Sequence, residues 1–167
     1  GNICLIPIIL FIGEFIKLTK GRVLDVGSGP GRDGLILQKA GIEVTCLDAS
    51  EAMIKLSLER GLNSILGDFN HLPFADESFD GAWAYTSLLH IPKSEVGEAL
   101  SEISRILKPN GIFGLGLIEG DVEQYRETTG MGRPRWFSYY KKDEVSKLLD
   151  SHDLQIIYFE EFKPKTR

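Results

Sequence analysis

The 167-residue sequence has little cysteine, no excess of basic residues and no apolar run long enough to span a membrane. Its two cysteines, Cys4 and Cys46, form neither a C-x-x-C pair nor a cluster with zinc-ligand spacing, which argues against a disulfide framework and against a metal site. We therefore expect a reducing, cytoplasmic location. The net charge of −5 argues against a nucleic-acid-binding protein that relies on a broad cationic face.

The longest apolar run covers residues 3–13, whereas a membrane-spanning helix needs about 20 apolar residues. Pro7 interrupts this run, and the charged residues Glu14 and Lys17 follow it. It predicts a buried amphipathic helix that begins near Pro7, with no membrane partner. No internal repeat or linker divides the chain, so we expect one globular domain over residues 1–167 that is a monomer or a weak homodimer.

From residue 21 onwards, short β-branched segments alternate with helical segments. Strands are predicted over residues 21–27, 42–48, 62–68, 79–85, 111–118 and 154–162. Helices are predicted over residues 33–41, 50–61, 93–111 and 141–153. This alternation predicts an α/β fold in which a mostly parallel central sheet carries helices on both faces.

Glycine is over-represented, with 18 of 167 residues, against a usual share of about 7%. Gly27, Gly29 and Gly31 lie together where the first predicted strand passes into a helix. Glycines at such a turn let the backbone bend tightly and approach a ligand closely. The sequence therefore predicts a ligand site at the carboxyl end of the first strand.

Two classes of ligand compete for this glycine-rich turn. The spacing Gly29-x-Gly31-x-x-Gly34, with Asp48 at the end of the second strand, matches the dinucleotide fingerprint. Asp25 points the other way, because a carboxylate inside the first strand opposes a pyrophosphate and suits a cation such as an ammonium or a sulfonium. A phosphate loop with G-K-[S/T] is absent, which excludes that class of nucleotide-binding protein by motif.

Four motifs in order resemble the class I S-adenosylmethionine-dependent methyltransferases. They are D-V-G-S-G-P-G at residues 25–31, L-D-A-S-E-A-M at 47–53, G-D-F at 67–69 with L-P-F-A-D-E-S-F-D at 72–80, and L-K-P-N-G-I at 107–112. The resemblance implies a three-layer Rossmann-like sandwich, S-adenosylmethionine as the cofactor, and methyl transfer to a small molecule. The family sheet ends in a hairpin of two strands, and residues 154–162 supply one of them, so we expect its seventh strand to be missing.

The resemblance also implies the cofactor-binding residues. They follow the first four predicted strands: Asp25, Gly27, Ser28, Gly29, Gly31, Asp48, Ala49, Ser50, Met53, Asp68, Phe69, Leu72, Tyr85 and Thr86. Among them, Asp48 would accept the ribose hydroxyls, Asp68 would accept the adenine amino group, and Asp25 would orient the ammonium.

Several of these residues have a second, purely structural interpretation. Asp48 could cap the helix that begins near Ser50, and Asp68 could be a turn residue. Met53 could belong to the core alone. Beside the glycine turn, the adjacent Arg32 and Asp33 are interpreted as a solvated pair rather than as ligands.

Methyl transfer from a sulfonium is a direct displacement that needs a general base only when the acceptor must lose a proton. His90, just past the fourth strand, is the candidate base, although it could instead order its loop. Residues 119–140 form the predicted acceptor lid, with Gly130, Gly132 and Pro134 in it. Candidate lid residues that would recognise an anionic or aromatic acceptor, or would simply pack the connection onto the sheet, are Arg133, Arg135, Trp136, Tyr139 and Tyr140.

The acceptor class follows from what stands after the fourth strand. DNA amino-methyltransferases of this superfamily carry [N/D]-P-P-[Y/F] there, whereas this chain has A-Y-T-S at residues 84–87, so we expect a small-molecule acceptor methylated at O, N or S. Three alternatives remain: a nicotinamide-dependent oxidoreductase, a catalytically silent S-adenosylmethionine-binding module, and aminopropyl transfer from the decarboxylated cofactor.

Overall fold

Five parallel strands form the central sheet in the computed structural model, which describes residues 8–128 and 133–161. In chain order they are β1 (Arg22–Val26), β2 (Glu43–Asp48), β3 (Asn63–Leu66), β4 (Phe79–Tyr85) and β5 (Leu107–Gly116). Their spatial order is β3-β2-β1-β4-β5. The carboxyl ends of β1 and β4 are therefore neighbours in the middle of the sheet, at the switch point where open α/β sheets bind ligands.

Helices cover both faces of the sheet, which confirms the predicted three-layer α/β sandwich. They are α1 (Ile8–Leu18), α2 (Arg32–Lys39), α3 (Glu51–Glu59), α4 (Val96–Ile106) and α5 (Lys142–Asp150). On one face, α1 and α2 pack with Val23 and Trp83 of the sheet. On the other face, α4 and α5 pack with Leu24 and Ala82. These alternate positions along the strands show that the pleat divides the core in two.

The predicted amino-terminal helix is α1, and it is buried against the sheet. Ile12 and Phe15 are 2% and 4% exposed, and the ring centroid of Phe15 lies 4.9 Å from that of Trp83. The opposite side of the helix carries the exposed Lys17. No helix in the described ranges is long and apolar enough to cross a membrane.

The long helix predicted over residues 93–111 is shorter in the structure. It ends at Ile106, and Leu107 already pairs with Phe79 of β4. Pro109 explains the difference, because a proline disfavours the helical conformation of the residue before it and cannot donate a helical hydrogen bond.

The strand predicted over residues 154–162 was wrong: no strand forms at 154–161, and residue 162 lies outside the described residues. Side-chain contacts hold this segment instead, since Tyr158 stacks on Phe11 at 6.5 Å and the Lys142 ammonium lies 4.1 Å from the ring centroid of Phe159. It borders a cavity of about 720 Å³ along the outer edge of β5. A suitable residue pattern does not make a strand where no backbone ladder forms.

A feature that the sequence did not predict is a two-stranded antiparallel hairpin of β6 (Glu123–Arg126) and β7 (Arg135–Ser138). It lies within the segment predicted as an acceptor lid, of which Gly130 and Gly132 fall outside the described residues. Phe137 packs the hairpin against Leu89 and Ile118, residues that follow β4 and β5. The hairpin therefore lies near the carboxyl ends of the central strands.

Because Phe15 is buried against Trp83, its replacement by alanine leaves a cavity between α1 and the sheet. We expect Phe15→Ala to lower the free energy of unfolding by about 3–5 kcal/mol in urea titrations. Leu18→Ala is the control on the same helix, because Leu18 is 49% exposed, and it should change stability by less than about 0.5 kcal/mol. Equal effects of the two variants would contradict the packing of α1.

Candidate functional site

The glycine-rich turn joins β1 to α2 at the predicted site. Gly27, Gly29 and Gly31 all have positive φ, at 70°, 54° and 82°. A side chain at Gly27 would overlap Ser87, because a Cβ there would lie 2.4 Å from the Ser87 Cβ. Beside Gly29, in contrast, no described atom lies within 4 Å of the corresponding position. The turn is therefore closely packed at Gly27 and open at Gly29, so a ligand could approach its backbone there.

Asp48, at the end of β2, fixes this turn. Its Oδ2 accepts a hydrogen bond from the Gly29 amide at 2.8 Å, and its Oδ1 accepts one from the Ser50 amide at 2.9 Å. Ser50 itself caps α3 by accepting from the Met53 amide at 3.5 Å. The interpretation of Asp48 as the helix cap is thus wrong. Each carboxylate oxygen has a further lone pair for a ligand hydroxyl.

The remaining backbone amides of the turn are already hydrogen-bonded within the protein. Those of Gly27 and Ser28 donate to the Leu47 carbonyl at 2.8 and 3.0 Å, and that of Gly31 donates to the Ser28 carbonyl at 3.1 Å. A pyrophosphate would need such amides as donors and would also face the Asp48 carboxylate. The paired amides of the turn and the Asp48 carboxylate therefore disfavour the dinucleotide interpretation of the glycine motif.

Asp25 lies beside the turn with 3% of its surface exposed. Burial raises the pKa of its carboxyl well above the usual value, the nearby Asp33 raises it further, and a hydrogen bond from the Gly34 amide opposes the shift. Within the described part of the chain, its Oδ2 has no hydrogen-bond partner. A cationic ligand group beside Asp25 would stabilise its ionised form and so offset the cost of burying this carboxylate.

The predicted solvated pair of Arg32 and Asp33 was wrong for Asp33. Asp33 is 7% exposed and accepts a hydrogen bond from the Trp83 indole at 2.9 Å. Arg32 is exposed and donates to the same carboxylate at 2.8 Å. A buried tryptophan needs an acceptor for its N–H group, but the partners are 50 positions apart in the sequence, so sequence reasoning could not find this contact.

The predicted adenine side of the site follows β3. Asp68 is exposed, and its Oδ1 accepts a hydrogen bond from the Asn70 amide at 3.0 Å, which gives it the turn role proposed as its second interpretation. The ring of Phe69 lies against the glycine turn. Leu72 is buried in the core, whereas Met53 is half-buried on α3. Ala49, between β2 and α3, is exposed.

The end of β4 is strained at Thr86, whose φ is 58°. A β-branched residue rarely adopts a positive φ, and such strain concentrates at functional sites. The next residue, Ser87, ties this end to β1, because its Oγ donates to the Val26 carbonyl at 2.7 Å. Tyr85 is 8% exposed and stacks on the buried Trp83, with ring centroids 5.7 Å apart.

His90 ends a short 3₁₀ helix, Leu88–His90, directly after this strained point. Its Nδ1 lies 2.8 Å from the Trp136 carbonyl. Because a carbonyl only accepts, Nδ1 carries the proton and Nε2 keeps its lone pair. Burial lowers the pKa of His90, the Trp136 hydrogen bond raises it, and the charge of Arg135 lowers it. The histidine is therefore a neutral imidazole that can accept a proton.

The hairpin collects the predicted lid residues, but they differ in exposure. Tyr139 and Tyr140 are 6% and 3% exposed, and burial raises the pKa of Tyr140 to about 12. Arg135 and Trp136 are half-buried, and Arg133 is exposed. The tyrosines thus pack the hairpin onto the sheet, while the arginines lie at the end where β6 connects to β7.

Sequence reasoning missed Arg126 at this end of the hairpin. It lies directly opposite Arg135 in the β6–β7 register and donates a hydrogen bond to the Tyr139 hydroxyl. The pattern of the segment carried no signal for this pair, because the register depends on how residues nine positions apart align.

Comparison with known proteins agrees with this geometry. A family model described as a methyltransferase domain matches residues 24–115. Squalene methyltransferase 1 of Botryococcus braunii is 36% identical over 112 residues, which are 61% of this chain and 29% of that protein. A sterol 24-C-methyltransferase of Gibberella zeae is 39% identical over 117 residues, which are 63% of this chain and 30% of that protein.

A solved structure extends the likeness of the fold to nearly the whole chain. A crystal structure of a methyltransferase from Methanosarcina mazei superposes with a TM-score of 0.79 at 22% identity, covering 93% of this chain and 88% of that one. The chain spans less than a third of the length of the squalene and sterol enzymes. The family model, however, matches more than half of the chain and includes β1, β2, β3 and β4. The chain therefore belongs to the methyltransferase domain family.

Proposed function

We propose that this domain binds S-adenosylmethionine at the carboxyl ends of β1, β2 and β4 and transfers its methyl group to O, N or S of a small-molecule acceptor. The observation that carries the proposal is Asp48, a carboxylate fixed beside the open glycine turn whose amides are already paired. Such a site offers acceptors to hydroxyls and a negative field to a cation, and both features suit a sulfonium nucleoside.

The residues of this chain would bind and orient the cofactor, which supplies an electrophilic methyl group on a positively charged sulfur. Asp48 would accept the ribose hydroxyls, and the unpartnered oxygen of Asp25 would attract the ammonium. Asp68, exposed after β3, would accept the adenine amino group, and the backbone of Phe69 would complete that edge. Approach geometry and exclusion of water then provide most of the catalysis in such a displacement.

His90 would act as the general base for an acceptor that loses a proton. Its Nε2 lone pair is available because Nδ1 donates to the Trp136 carbonyl. The absence of the DNA amino-methyltransferase motif after β4 supports a small acceptor. The squalene and sterol relatives, named for such acceptors, support it as well.

The cellular setting and assembly are part of the same proposal. Cysteine is scarce, and Cys46 is buried and unpaired, which suits a reducing cytoplasm. We carry forward the single domain over residues 1–167 and a monomer or weak homodimer. A net charge of −5 favours neither a nucleic-acid partner nor an anionic membrane surface.

Calorimetry tests the cofactor directly. S-adenosylmethionine and its demethylated product should both bind, whereas NAD should not, because the turn amides are paired. Binding of NAD alone would contradict the proposal in favour of an oxidoreductase. An acceptor screen that measures release of the demethylated nucleoside then separates an enzyme from a silent binding module.

Asp48→Ala removes the proposed ribose ligand. We expect it to weaken S-adenosylmethionine binding by about 1.5–3 kcal/mol in calorimetry, the range for hydrogen bonds to a charged group. Glu51→Gln is the matched control, because Glu51 is an exposed carboxylate three residues further along. Unchanged affinity in Asp48→Ala would mean that Asp48 only ties the two backbone turns together.

Asp25→Asn tests two effects of this carboxyl separately: the free-energy cost of its burial and its proposed contact with the cofactor ammonium. The folded protein binds this proton more tightly than the unfolded chain, so the stability of the folded state decreases as pH rises above about 4. Asp25→Asn should therefore raise the melting temperature at pH 7 more than at pH 4. It should also weaken S-adenosylmethionine binding about tenfold if Asp25 holds the ammonium. A lower melting temperature at pH 7 would contradict the buried, uncompensated carboxyl.

His90→Gln tests the base once an acceptor is known. With burial lowering the pKa of His90, the wild-type rate should fall on the acid side with an apparent pKa below the usual value of about 6.5. The variant should lose this acid limb and about 100-fold in kcat, with the KM for the cofactor unchanged. His152→Gln is the control, since its Nδ1 also bonds a backbone carbonyl but lies beyond α5. An acid limb that persists in His90→Gln would assign the base elsewhere.

A further inference from the structure

Three arginines lie where the chain passes from β6 to β7, and none of them forms an ion pair within the described residues. Arg126 and Arg135 are direct cross-strand partners, and Arg133 is two residues before Arg135. Like charges directly opposite each other destabilise a strand pair. All 24 acidic residues fall within the described ranges, and the ion pairs formed there do not include these arginines. The cluster thus has no ion pair within the described residues, and burial and the charge of Arg133 both lower the pKa of Arg135.

Arg135 connects this cluster with the two halves of the proposed site. It is half-buried, and burial lowers the pKa of its guanidinium. The charge of Asp48 acts in the opposite direction on Arg135, and the charge of Arg135 lowers the pKa of His90. The charges of Asp48 and Arg135 therefore influence each other, and the charge of Arg135 also reaches the proposed base.

Arg126 is held on the same face of the hairpin. Its guanidinium lies 5.4 Å from the ring centroid of Phe137 and donates to the Tyr139 hydroxyl. The same Phe137 ring meets His90 edge-on at 4.7 Å. Residues 126 and 135 are opposite each other, and 137 follows at the strand period of two, so all three side chains share the face that meets His90.

We propose that Arg126 and Arg135 bind an anionic group of the methyl acceptor, with Arg133 adding to the positive field. The acceptor would then be a small molecule that bears a carboxylate or a phosphate. This inference rests on the proposed function and deepens it. Two guanidinium groups offer forks of N–H donors that match both oxyanions, and a bound anion would relieve the repulsion between the opposed arginines.

The first experiment compares small aromatic probes that differ in charge, with benzamide as the neutral analogue of benzoate. Benzoate, phenyl phosphate and the neutral benzamide are titrated by calorimetry into the protein, with and without the demethylated cofactor product, at constant ionic strength. At least one of the two anions should bind about tenfold or more tightly than benzamide. The anion that binds more tightly shows whether the site prefers a carboxylate or a phosphate. Equal affinity for benzamide, or no binding of either anion up to its solubility limit, would overturn the proposal.

The second experiment assigns the binding to the two arginines. Arg135→Gln and Arg126→Gln should each weaken the anion about tenfold, whereas Arg135→Lys should retain part of the affinity. Lys39→Gln removes the same unit charge from an exposed residue at the far end of α2 and should have no effect. Unchanged anion affinity in both glutamine variants would contradict the assignment.

Stability distinguishes a binding role from a structural one. Because Arg135 faces a like charge, ligand-free Arg135→Gln should melt at the same temperature as the wild type or above it. A clear fall in melting temperature would make Arg135 a structural residue and overturn its role. If the wild-type protein binds the anion but not the demethylated cofactor product, the proposed function fails while the anion site stands. If the protein binds the demethylated cofactor product but shows no preference for anions, the anion site fails while the proposed function stands.

Discussion

The carboxylate of Asp48 is the constraint on which the site depends. Its two oxygens hold the amides of Gly29 and Ser50, and so they fix the turn after β1 relative to the start of α3. With the Leu47 carbonyl taking two more amides, the turn has few backbone donors left for a ligand. The site is consequently lined by acceptors, and this decides the sign of what it can bind. A glycine motif alone does not decide it, because the same spacing also cradles phosphates.

Beside this turn lie two buried carboxyl groups whose hydrogen bonds differ, Asp25 on β1 and Asp33 in the first turn of α2. Asp33 is satisfied by the Trp83 indole and the Arg32 guanidinium, so its burial costs little and it secures the start of α2. Asp25 receives a backbone hydrogen bond from Gly34 but keeps one oxygen unpartnered. A purely structural role would favour an asparagine or an apolar residue at that position. This contrast between Asp33 and Asp25 supports the proposal that Asp25 meets a ligand.

The sequence predicted the parts of this molecule that local patterns determine. Strands β1 to β4 and most of β5 follow from short β-branched segments that alternate with helical ones, and Ser50 caps α3 as its residue type favours. What could not be predicted depends on distant partners. The Trp83–Asp33 bond and the Arg126–Arg135 pair require the tertiary arrangement. Residues 154–161 have a strand-like composition but form no backbone ladder with another strand. Patterns fix which conformation a segment prefers, whereas partners decide whether that conformation forms.

The proposed cofactor site and the proposed acceptor site also lie in different parts of the chain. The family match covers residues 24–115 and so includes the cofactor half, whereas β6 and β7 lie outside it. The chemistry that is common to the family is thus held by the sheet and its first turns, where Asp48 and Asp25 are positioned by buried backbone. The hairpin is joined to that frame by Phe137, by the contact of His90 with the Trp136 carbonyl and by the Ser138 hydroxyl, which donates to the Ile91 carbonyl. None of these three contacts involves the arginines. Like charges directly opposite each other disfavour a strand pair, and the anion of the proposed acceptor would offset this between Arg126 and Arg135.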